Sequence, residues 1–145
     1  MIKGADQLKQ CLNGLPDQFK HSALQKANIK AAEPLVSGMH RLAPVGLTGN
    51  LADSIGIVKL GKGKELGGIE VGPRRGGGFL GFAGHLVEFG TKRRKTKRTG
   101  ANRGIMPKKR FVLPAWEQTN GQVLGTVEKE LSTQVTKYLK RTAPK

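Results

Sequence analysis

With 145 residues, 37% of them hydrophobic and 5% aromatic, the chain has material for one small core and not for a large multi-layered enzyme core. Its 21 glycines, about twice the usual share, argue against an all-helical bundle, and its single cysteine, Cys11, excludes an internal disulfide framework and a cysteine-based structural zinc site. Lys and Arg number 26 against 10 Asp and Glu, and a formal charge of +16 at pH 7 points to an anionic partner.

At the N-terminus no apolar run follows Lys3, so no secretory signal is expected. The longest stretch without Lys, Arg, Asp or Glu, from Gly76 to Val87, is shorter than the ~20 residues of a membrane span, so no transmembrane helix is expected either. Together these place the chain in a reducing cytoplasm. Leu8, Cys11, Leu12 and Leu15 suit a short first helix, with Cys11 as a small buried residue. A long helix is predicted from Asp17 to Leu42, because Ala23, Ala27, Ala31, Leu35, Met39 and Leu42 recur at intervals of three and four. Asp17 is its expected cap, and Pro34 is expected to kink it or split it near Ala32. Ala43-Pro44 ends it.

The middle of the chain reads as strands. Ser54 to Leu60 and Gly68 to Gly72 form an expected hairpin around the loop Gly61 to Gly67. A third strand is predicted over Phe82 to Phe89 and a fourth over Arg110 to Leu113. Pro114 then suits the first turn of a second long helix, whose apolar stripe would be Trp116, Asn120, Val123, Val127, Leu131, Val135 and Tyr138. The expected fold is α+β: a small antiparallel sheet packed with a long kinked N-terminal helix and a C-terminal helix, in one domain over 1–145 with a basic loop insertion at 92–110.

That insertion holds Lys92, Arg93, Arg94, Lys95, Lys97, Arg98, Arg103, Lys108, Lys109 and Arg110 and no carboxylate. Like charges at this density repel, so the run is expected to be an arm that stays mobile until an anion meets it. A solvated loop is the bland alternative. Nucleic-acid phosphate is the favoured partner, and a membrane surface fits poorly because no apolar face accompanies the charges. No aromatic residue precedes Phe111 in the run, so stacking on bases is not supported and contact with phosphate would be indifferent to sequence. Lys59, Lys62, Lys64, Arg74 and Arg75 form a milder basic group.

Catalytic patterns are weak. Gly76-Gly77-Gly78-Phe79-Leu80-Gly81 matches G-x-G-x-x-G in letters, but Pro73-Arg74-Arg75 stands where a strand should and no helix start follows, so a loop is expected and no nucleotide. His21, His40 and His85 lack metal-ligand spacing, and on a strand His85 and Glu88 would point to opposite faces. A metal-dependent nuclease would draw on Asp53, Glu70 and Glu88, each on a separate segment. The default for Glu88 is structural: accepting a bond from a turn or pairing with the arm. No cofactor is expected.

Three ordered stretches carry a resemblance: Leu42 to Ile55 (LAPVGLTGNLADSI), Leu86 to Thr91 (LVEFGT) and Pro107 to Ala115 (PKKRFVLPA). Set between two helices, they resemble the gene-product-ten-like tail-component family of long-tailed bacteriophages, also called neck or tail-completion proteins. Pro44, Thr48, Gly49, Leu51, Ser54, Glu88, Phe89, Gly90, Thr91, Phe111 and Pro114 are the scaffold positions of these stretches. Pro44 would stop the helix, Thr48-Gly49-Asn50 make a turn, Leu51 and Ile55 return to the core, Ser54 bond nearby backbone, Phe89 anchor a strand end, and Phe111 and Leu113 bury the returning segment. The resemblance implies a non-enzymatic virion protein made in the host cytoplasm. It would form a homo-oligomeric ring at the neck, between a tail-terminator or tail-tube protein and a head-completion protein, with double-stranded DNA in the lumen and no membrane. The long basic stretch between Thr91 and Pro107 departs from the family pattern. A free-standing, sequence-neutral nucleic-acid-binding protein is the first alternative to this reading, and the nuclease the second.

Overall fold

Helix formation starts at Pro16, whose carbonyl oxygen accepts from the backbone N–H of Phe19 and Lys20, both at 3.0 Å. Asp17 is therefore inside the first turn of α1 (Asp17–Leu42), where its carboxylate accepts from Lys20 Nζ at 3.1 Å. Of the kink or split expected at Pro34, the split does not occur; α1 is one helix of 26 residues. Proline in a helix interior costs about 3 kcal/mol. Burial of Ala27, Ala31, Ala32, Leu35 and Met39 along the same helix offsets that loss. The computed structural model describes residues 15–46, 49–61 and 66–142. The expected first helix from Leu8 to Leu15, save Leu15 itself, Cys11 with it, the turn residue Thr48 and most of the hairpin loop lie outside the described residues.

After α1 come α2 (Asn50–Ser54), β1 (Ile55–Lys59) and β2 (Ile69–Pro73), then β3 (Arg75–Gly76), β4 (Phe79–Leu80), a 3-10 turn (Gly81–Ala83), α3 (Gly84–Phe89) and α4 (Val112–Thr142). The fold is α+β, with two long helices and two small sheets, β1 with β2 and β3 with β4. The strand predicted over Phe82 to Phe89 is the 3-10 turn and α3. Of the strand predicted over Arg110 to Leu113, Arg110 and Phe111 lie outside regular secondary structure and Val112 and Leu113 open α4.

The residues form two compact units. The first comprises the described parts of Met1–Pro34, Val58–Glu70 and Gly121–Lys145. Its core holds Ala23, Ala27 and Ala31 of α1 with Leu131 and Val135 of α4. The rings of Phe19 and Tyr138 pack at a tilt of 39° with centroids 4.2 Å apart, and Lys30 pairs with Glu130. The turn into β2 is pinned here: Asn28 Nδ2 donates to Gly67 O at 3.0 Å, and Leu60 N to Gly68 O at 3.0 Å. Gly67 has φ +68°, and a Cβ there would stand 2.4 Å from Leu24 Cβ, so both conformation and space demand glycine.

The second unit comprises Leu35–Ile57 and Val71–Asn120. Its core gathers Met39, Ala43, Ile55, Val87, Phe111 and Ala115, together with the polar Ser54, Glu88 and Thr119. Helices α1 and α4 meet through small residues, since a Cβ on Gly38 would lie 3.4 Å from Ala115 Cβ and 3.5 Å from Thr119 Cγ2. Arg41 Nη2 donates to Gln118 Oε1 at 2.7 Å beside this contact. The buried positions of α4 are thus Ala115 and Thr119 in this unit; Trp116, placed in the stripe by periodicity, is 40% exposed.

Candidate functional site

Glu88 organises the second unit. It is buried on α3, and one carboxylate oxygen accepts from the backbone N–H of Phe111 at 2.8 Å and of Val112 at 3.0 Å, while the other accepts from Leu113 N at 3.3 Å. These are donors at the head of α4 that have no partner within the helix. A carboxylate there also meets the positive end of the helix dipole. Glu88 thus caps a helix that begins 24 residues later in the chain. Phe111, in the same corner, is fully buried, and Lys109 N donates to Val87 O at 2.8 Å.

Two residues on, Gly90 has φ +73°, and a Cβ there would stand 2.9 Å from both Lys108 N and Met106 O. Only glycine lets the chain leave α3 so close to the returning segment. Thr91 then closes the contact: its N–H donates to Met106 O, and its Oγ1 accepts from Met106 N, both at 3.0 Å. Phe89, expected to anchor a strand end, instead ends α3 and is 76% exposed.

From this base the basic run projects as a ribbon with two limbs. Arg94 N donates to Gly104 O at 3.1 Å, Arg103 N to Arg94 O at 2.7 Å, and Thr96 N to Ala101 O at 3.0 Å. Lys95 and Asn102 form an antiparallel bridge. At the tip Gly100 N donates to Thr96 O at 3.0 Å, and the hydroxyls of Thr96 and Thr99 pair. The run, expected as an arm or loop mobile until an anion meets it, therefore has ordered backbone bonds of its own. Charge density opposes compaction, but Thr96, Thr99 and Gly100 supply a turn and every Lys and Arg side chain stays exposed, so the cations keep their hydration. Lys92, Arg93, Arg94, Lys95, Lys97, Arg98 and Arg103 belong to the ribbon, whereas Lys108, Lys109 and Arg110 lie on the segment returning from it.

Beside the Glu88 corner is an open groove of about 610 Å³. Phe111, Val112, Leu113, Trp116, Phe89 and Pro73 give it apolar walls, and Arg75, His85 and Arg110 are at its lining. Arg75 Nη2 lies 3.5 Å from His85 Nδ1. Leu113 and Trp116 are 42% and 40% exposed, so apolar surface is open to water here.

The remaining candidates divide in the same way. Gly77 and Gly78, with φ +58° and +88°, form the two-residue turn between β3 and β4, in register Arg75 opposite Leu80 and Gly76 opposite Phe79. The G-x-G-x-x-G letters are a hairpin. Arg74, grouped by sequence with free cations, is half-buried: its backbone N and its Nε donate to Ser54 O at 2.9 and 3.1 Å, and its guanidinium lies 3.7 Å from the Phe79 centroid. Ser54 Oγ in turn donates to Leu51 O at 2.6 Å. Gly49, with φ +65°, precedes α2, and Pro44 follows α1 outside regular secondary structure; Pro114 is in the first turn of α4. His85 and Glu88 are one helical turn apart on α3, and the opposite-faces expectation fails because the segment is helical. Asp53 and Glu70 are exposed, and the Glu88 carboxylate is occupied by backbone donors. Among the described residues no three His, Cys, Asp or Glu side chains are grouped to hold a metal ion, and no helix is long and apolar enough to cross a membrane.

A protein-family model described as "Bacteriophage HK97-gp10, putative tail-component" matches residues 6–90, more than half of the chain. The chain belongs to this family. It is thereby placed among structural components of the bacteriophage tail, which are parts of the virion. The match ends at Gly90, at the foot of the ribbon, so the ribbon and the stretch Pro107 to Ala115 lie beyond it. No curated protein and no solved structure matches the chain.

Proposed function

We propose that the protein completes the tail at the virion neck, as a ring of identical subunits around the channel through which DNA passes. Its neighbours along the axis are a tail-terminator or tail-tube protein and a head-completion protein. It acts by assembly and turns over no substrate. Membership of a tail-component family supports the setting. The observation that carries the reading is the groove beside Glu88, where Trp116, Phe89 and Leu113 leave apolar surface open to water. An apolar patch of this kind on a subunit marks a surface covered in an assembly. The two small sheets add edges whose backbone groups a neighbouring copy can pair or cover.

The test is genetic and structural. A phage carrying a nonsense codon early in this gene should yield filled heads and separate tails that do not join. Micrographs of intact particles should place the protein as a closed ring at the head–tail junction. Joined, infectious particles made without it, or its location at the distal tail tip, would overturn the proposal.

A further inference from the structure

We propose that the ribbon from Thr91 to Met106 is a preformed grip for duplex DNA, seated in a groove with its cations on the flanking phosphates. This goes beyond the neck assignment and does not require it, because a single subunit carries the whole element.

The argument begins with the backbone. A basic arm without structure would lose conformational freedom on meeting DNA. Here the two limbs are already joined, by Arg94 with Arg103 and Gly104, by Thr96 with Ala101, and at the base by Thr91 with Met106. Each limb is about six residues long, roughly 20 Å at ~3.3 Å per residue. The major groove of B-form DNA is about 12 Å wide and admits a two-stranded ribbon. Duplex DNA carries one phosphate charge per ~1.7 Å of axis, so about twelve phosphates flank a ribbon of that length.

Side-chain chemistry selects the partner. Arg93, Arg94 and Lys95 on the outgoing limb, Lys97 and Arg98 at the tip and Arg103 on the return are all exposed, and no carboxylate occurs between Thr91 and Arg110. An acidic protein surface would need apolar anchors as well, and a membrane would need an apolar face. The ribbon offers only Ile105 as a large exposed apolar side chain. It carries no aromatic ring to stack on bases, and Asn102 Oδ1 is occupied by Gly104 N at 2.9 Å. The contact is therefore electrostatic and blind to sequence.

The experiment measures binding of the full chain to a mixed-sequence duplex of about 20 base pairs by fluorescence anisotropy across a salt series. Wild-type affinity should fall by about 1,000-fold or more between 50 and 200 mM salt, the behaviour of a protein that neutralises about six phosphates or more. Replacing Arg93, Arg94, Lys95, Lys97, Arg98 and Arg103 together with Gln should lower affinity at 50 mM salt by at least about 100-fold and flatten the salt slope by about 0.9 for every phosphate left unneutralised. A control replacing Lys26, Lys59, Lys129, Lys137, Lys140 and Arg141 with Gln removes the same charge elsewhere and should change affinity by less than about tenfold. Lysine acetylation of the unmodified protein, with and without the duplex, gives a second reading that needs no variant: Lys92, Lys95 and Lys97 should be protected while Lys26 and Lys137 remain reactive. Equal losses in the two variants, uniform acetylation, or no duplex binding at 50 mM salt would overturn the inference. Each would leave the neck assignment to its own test.

Discussion

Removing the Glu88 carboxylate leaves the N–H groups of Phe111, Val112 and Leu113 without an acceptor in a buried corner. Cap losses cost about 0.5–2 kcal/mol, and hydrogen bonds to a charged group are worth roughly 1.5–3 kcal/mol each, so Glu88→Ala should destabilise by about 2–4 kcal/mol. Glu88→Gln keeps one carbonyl acceptor and should lose about half as much. Urea titration checks both, with the midpoint falling and the slope unchanged. At this scale the sequence was partly legible. Glu88 enters as one of three candidate nuclease carboxylates, with accepting a bond from a turn or pairing with the arm as its default role. Its partner was not legible, because 23 residues separate it from Phe111 and no local pattern encodes a cap supplied from so far away. Arg74 was hidden for the same reason: only the fold brings Ser54 and Phe79 to its guanidinium.

Among the elements, the long helices announced themselves. Helix α1 runs over the predicted residues because alanines at intervals of four mark its buried face through many turns. The failures were short elements. Helix α3 has six residues, too few turns to display a period, and its apolar content passed for a strand. The stripe on α4 was misplaced near its start because burial there favours the small Ala115 and Thr119, which allow close approach to Gly38, over the large Trp116. Of the two outcomes expected at Pro34, the split is excluded, since a proline can be held in a helix whose neighbouring turns are buried. That imposes a cost which substitution should reveal. Pro34→Ala restores a backbone donor and should raise stability by about 1–2 kcal/mol, less than the full ~3 kcal/mol because the unfolded chain also gains freedom. Thermal or urea unfolding measures it. A loss of stability instead would mean that the pyrrolidine ring is itself packing.

For the molecule as a whole, the question is what its exposed surface is for. A chain with a net charge of +16 repels its own copies at low salt, so assembly needs either screening or a short-range attraction that outweighs the charge. In the proposed ring, the groove at Phe89, Leu113 and Trp116 would supply apolar contact of that kind. Of its large side chains, Phe89 contributes least to the isolated fold. Phe89 is 76% exposed, and Phe89→Ser should change stability by no more than about 0.5 kcal/mol. The same change should reduce incorporation into particles by about tenfold or more, the size of effect expected when an aromatic anchor leaves an interface. Trp116 is the single tryptophan and lines the same groove, so it reports on the event directly. As a neighbour covers the groove, its emission should move to the blue and its quenching by acrylamide should fall. In the Phe89→Ser protein, mixed with the same partners, the emission should stay that of the free subunit. An unchanged Trp116 signal during assembly of the wild-type protein would place the joining surface elsewhere on the subunit.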